Sequence, residues 1–156
     1  MAIKPTEELA FCEDDLAPVA AVLTGLAETG SGWVNFVPEV KEGYEPPARN
    51  LVTSIFSARG EAVPLATWTP PDAPGLRATL GIEHGSGPKA IARLIEHKLP
   101  LPPGWLKVVD NPRRGLVVTA PSTAAVHDVV WWLLAASHAL SQVPLTGNWL
   151  AKVYRQ

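Results

Sequence analysis

A chain of 156 residues with 47% hydrophobic and 18% charged side chains is the size of one domain and far too apolar to remain disordered. Its net charge of −2 supplies no broad positive field for nucleic acid, and its single cysteine, Cys12, excludes an internal disulfide and leaves the cytoplasm as the expected location. The most apolar window, Ala124–Leu140, is interrupted by His127, Asp128 and His138 short of the roughly 20 clean residues a bilayer needs, and Glu7, Glu8, Glu13, Asp14 and Asp15 stand where a signal peptide would be basic; neither membrane nor secretion is expected.

Leu16, Val19, Ala20, Leu23 and Leu26 recur at helical spacing between those acids and Gly30, which predicts a first helix over about 14–29. Four short runs rich in β-branched and aromatic residues follow: GWVNFVPEV, NLVTSIFSA, AVPLATW and LRATLGIEH. They predict a strand meander over about 33–83, with Arg59-Gly60 as the turn between the second and third. Pro88 suits a first helical position and opens a helix over about 88–98, ended by LPLPPG. WLKVVD and GLVVTA, joined by NPRR, predict a hairpin over about 106–120, because Asn111 and Pro112 suit the start of a type I turn and Gly115 its end. Ser122 as N-cap predicts a long helix over about 122–142, and NWLAKVY a last strand over about 148–154. Most strand connections are too short for parallel crossovers. The expected fold is a single α+β domain, a mainly antiparallel sheet of about six or seven strands with three helices packed on it.

The stretch GIEHGSGPKAIARL, residues 81–94, carries the sharpest chemical signal. Gly85 and Gly87 allow close backbone approach to a ligand, the following helix points free N–H groups outward, and Lys89 adds a charge. With Gly85, Gly87 and Ala90 at the three small-residue positions and Asp110 ending the next strand, the stretch resembles the dinucleotide-binding fingerprint of Rossmann domains. That resemblance implies a nucleotide at the helix start and a parallel βαβ unit. A second reading is a simple anion site in which His84, Gly85, Ser86, Gly87 and Lys89 hold a small anionic ligand, joined by Arg113 and Arg114 from the hairpin tip. The third is structural: the glycines make the turn, Gly87 caps, and Pro88 starts the helix. HGSG also resembles the oxyanion-hole loop of lipases and esterases, but the chain has no G-x-S-x-G elbow to go with it.

No metal or cofactor is expected, since His127 and His138 stand three helical turns, about 16 Å, apart and no cysteine pair exists. Residues 100° apart on the long helix put Val126, Val130, Leu133, Ser137 and Leu140 toward the sheet. Trp132 falls on the other side with Asp128, Ala135 and Ala139, a surface for association of two copies as a homodimer. The Ala, Pro, Val and Trp bias, with NPRRGLVV and PLTGNWLAKVY, resembles small uncharacterised proteins of high-GC actinobacterial genomes, a likeness that brings no activity with it. The function expected is a non-catalytic binding or assembly module; the alternative is a protein that binds a small anion or nucleotide at Gly85–Lys89 and acts on it.

Overall fold

The computed structural model describes residues 3–44 and 62–156. In chain order the elements are β1 (Glu7–Cys12), α1 (Ala17–Thr29), β2 (Trp33–Val40), β3 (Leu65–Thr69), β4 (Ala78–Glu83), α2 (Ala90–Glu96), β5 (Leu106–Asn111), β6 (Gly115–Ala120), α3 (Val126–Leu140) and β7 (Leu145–Tyr154). The seven strands form one sheet in the order β1-β7-β2-β3-β4-β6-β5, and every pairing is antiparallel. The fold is α+β.

Period-two burial decides which face of the sheet the helices cover. β7 buries Leu145, Trp149, Ala151 and Val153 and leaves the residues between them half-buried or exposed; β2 does the same with Val34, Phe36 and Pro38. In β4 and β6 the buried side chains are Leu80, Ile82, Leu116, Val118 and Ala120, with Gly115 buried at the turn end of β6. One-sided alternation of this kind belongs to an antiparallel sheet with a core on one face. α3 runs across β3 and β4 as the middle helix of the layer, with α1 on one flank and α2 on the other. Its buried arc is therefore wide, spanning Val129, Val130, Trp132, Leu133, Leu134, Ala136, Ser137 and Leu140. A helix flanked on both sides keeps only a narrow outer strip.

Several expectations need correction. β1 was not anticipated: Glu7 and Glu8 read as the acidic lead of a helix, yet they sit exposed on an edge strand whose Phe11 reaches the core. The NLVTSIFSA run and its Arg59-Gly60 turn lie outside the described residues. α2 starts two residues after Pro88, with Lys89 as N-cap in the left-handed region at φ 63° and Gly87 at φ 92°. It closes as a Schellman motif in which Lys98 N–H donates to Ile95 O and Leu99 N–H to Leu94 O, with Lys98 (φ 60°) in the place glycine usually takes. α3 starts at Val126, and Ser122 caps nothing there: Ala125 is the N-cap and makes no side-chain bond.

The β5–β6 hairpin turns on Asn111, whose Oδ1 accepts the N–H groups of Arg113 and Arg114 at 3.1 and 2.7 Å. Gly115 then has φ 77° and lies flat against β4, where a Cβ would collide with Ile82 O. The parallel βαβ unit implied by the Rossmann resemblance is absent from this part of the chain. β6 lies between β4 and β5, and both contacts are antiparallel.

Candidate functional site

The loop after β4 is held from within. His84 is buried, and its Nδ1 accepts both the Ser86 N–H at 3.2 Å and the Ser86 hydroxyl at 2.8 Å. A nitrogen that accepts an N–H carries the lone pair, so the ring proton belongs on Nε2, which is buried without a hydrogen-bond partner among the described residues. Burial pushes the His84 pKa below its ordinary value; Asp110 opposes that shift and Arg93 adds to it. The Arg93 guanidinium donates to Pro88 O and comes within 3.5 Å of Ser86 Oγ, seated against Gly87.

The start of α2 already has its anion. Asp110 accepts the Ala90 N–H at 2.9 Å through one carboxylate oxygen and the Ile91 N–H at 3.1 Å through the other. A carboxylate on these two terminal N–H groups occupies donors and offsets the dipole that an external phosphate would otherwise use. Asp110 is thus a capping group, 20 residues from the helix start in sequence, and not the ribose acid that the dinucleotide resemblance implies. Gly85, Ser86, Gly87 and Lys89 share this loop with His84. Arg113 and Arg114 stand exposed at the hairpin tip, and among the described residues neither side chain makes a hydrogen bond or ion pair with that loop.

The outer strip of α3 is a different kind of surface. His127, Asp128 and Trp131 are exposed there, and Trp131 keeps 53% of its surface in solvent. Trp132, expected on that strip, is only 3% exposed: its Nε1 donates to Pro100 O at 3.3 Å and its ring lies 5.2 Å from that of Trp105. The correction is physical. The Leu99–Gly104 segment after α2 covers the Trp132 side of the helix, so the open face turns by one residue, to Trp131. Asp128 and half-buried Ala135 remain beside it, and Ala139 is also half-buried.

Trp131 stands between two concavities. On one side is a groove of about 570 Å³ walled by Pro102, Pro103, Trp105, Pro121 and Trp132, with Asp128 as the only ionisable lining residue among those described. On the other is a cleft of about 60 Å³ formed by Glu13, Leu16, Leu134 and Ala135. Glu13 is fixed there by the Trp149 indole, which donates to its Oε1 at 2.8 Å, and His138 Nε2 lies against the same oxygen. The Asp128 carboxylate makes no hydrogen bond or ion pair among the described residues.

Among the described residues no three His, Cys, Asp or Glu side chains converge as a metal centre, and no helix is long and apolar enough to cross a membrane. Comparison of the chain with protein-family models, with curated proteins and with solved structures finds no match in any of the three. The surface itself is what remains to be read: an aromatic ridge between a proline-walled groove and an acidic cleft.

Proposed function

We propose that this chain is a non-catalytic binding or assembly module that docks a partner protein on the outer strip of α3. The observation that supports the reading is the exposed Trp131 standing between two concavities. A large ring in such a position is the kind of anchor that dominates interfaces. Covering the exposed half of an indole, about 100 Å², contributes about 2.5 kcal/mol at about 25 cal/mol per Å². The surrounding prolines stiffen the groove and lower the ordering cost of association. The anion or nucleotide reading at Gly85–Lys89 is less well supported, because Ala90 and Ile91 already donate to Asp110.

Site-specific photo-crosslinking in cells tests this. A photoreactive residue replaces Thr123, which lines the groove, or Thr79, which is exposed on the sheet face away from the helices. The expected result is a discrete adduct from position 123 that is missing from position 79 and lost when Trp131→Ala is added. Identical adducts from both positions, persistence in Trp131→Ala, or no adduct at position 123 overturns the reading. An adduct of the chain with itself would identify the assembly as a homodimer.

A further inference from the structure

Resting on that reading, we infer that the groove beside Trp131 takes a cationic side chain of the partner polypeptide, an arginine whose guanidinium lies between the Trp131 ring and the Asp128 carboxylate. Charge complementarity carries the inference. Among the described residues each concavity beside Trp131 has one ionisable lining residue, Asp128 in the groove and Glu13 in the cleft, both acids, and no Lys or Arg lines either. Glu13 is engaged with Trp149 and His138, whereas Asp128 has no partner among the described residues. An indole face attracts a cation through its quadrupole, and a carboxylate beside it adds a forked hydrogen-bond acceptor.

Guanidinium suits this pairing better than ammonium, because it is planar, weakly hydrated and able to stack and fork at once. Pro102, Pro103 and Pro121 offer no N–H to compete and give apolar walls for a methylene stem. The groove, about 570 Å³, exceeds the volume of one side chain and leaves room for flanking backbone, which favours a peptide segment over a free cation. Acidic and purely apolar segments lack the matching charge.

The test is an NMR titration of the full chain, read at the Trp131 indole N–H and the Asp128 amide, with blocked Gly-Arg-Gly, Gly-Leu-Gly and Gly-Glu-Gly peptides. The expected result is saturable binding of the arginine peptide about tenfold tighter than the leucine peptide, as one cation–π contact with a carboxylate provides. Added salt weakens it, the glutamate peptide does not bind, and Asp128→Asn erases most of the tenfold preference without changing the leucine peptide's affinity. Equal binding of arginine and leucine peptides, or an unaltered preference in Asp128→Asn, overturns the cation inference and leaves the docking reading standing. Concentration-dependent shifts at Trp131 without peptide make a second copy the occupant and overturn it too. Failure of all three peptides, together with no crosslink from position 123, removes both readings.

Discussion

Asp110 offers the most direct check on how the 81–94 loop is built. Replacing it with Ala removes both acceptors from the start of α2, the ones that hold Ala90 N–H at 2.9 Å and Ile91 N–H at 3.1 Å. A hydrogen bond to a charged acceptor contributes about 1.5–3 kcal/mol. Ala90 is fully buried, so water cannot replace the carboxylate easily at its N–H, while half-buried Ile91 is more readily rehydrated. The expected loss for Asp110→Ala is therefore about 2–4 kcal/mol, a large share of the about 5–15 kcal/mol typical of a domain. Asp110→Asn keeps one acceptor oxygen and loses about half as much. Urea denaturation at pH 7.5 measures both, with the midpoint shifted and the slope unchanged. Hydrogen exchange at the Ala90 and Ile91 amides should accelerate in step. A loss below about 0.5 kcal/mol for Asp110→Ala would refute the capping role. Phosphate should leave the wild-type midpoint where it is, because its donors are occupied; a phosphate-dependent rise would instead favour the anion reading.

Three further outcomes follow from buried groups. The His84 pKa is lowered in the folded chain, so on acidification the unfolded chain takes up the proton first. Stability is full above about 6.5 and falls as the pH drops from there toward the lowered folded value; His84→Gln should flatten that slope in urea melts taken from pH 7.5 to 5. Trp132→Ala should cost about 3–5 kcal/mol as a core truncation, whereas Trp131→Ala should stay within about 1 kcal/mol, a contrast that thermal melts resolve. Gly115→Ala forces a side chain into the left-handed region and against Ile82 O, and should lower stability by at least about 2 kcal/mol in the same assay.

What the sequence makes legible is what is local. The β5–β6 hairpin is written in Asn111 and Gly115, and the buried face of β7 in the alternation of Trp149, Ala151 and Val153. Nonlocal partners are the ones it conceals. Asp110 stands out by its spacing from the glycines, but its role as a cap depends on β6 coming between β4 and β5, which no local pattern encodes. Trp131 and Trp132 are indistinguishable until it is known which flank of α3 the Leu99–Gly104 segment covers. Acid-rich β1 reads as a helix lead because only β7, distant in the chain, makes it a strand. The expected helix start at Pro88 fails for the same reason: Lys89 adopts a left-handed turn that lets the two following amides reach Asp110.

The position of β7 also ties distant parts of the chain together. It lies between β1 and β2, pairing Phe11 with Trp149 on one side and Phe36 with Ala151 on the other. Among the described strands β1 has Leu145–Tyr154, far along the chain, as its partner. On its other side β7 pairs with β2, the border of the part of the sheet that contains β3, β4, β6 and β5. Closing a loop of this length delays pairing, because long separations carry the largest entropic cost and reward the chain last. β7 is thus a keystone: one ten-residue strand joins β1 to the rest of the sheet and covers two borders at once. Without it, the strand edges of β1 and β2 that it covers would be unpaired, the kind of edge that recruits other chains.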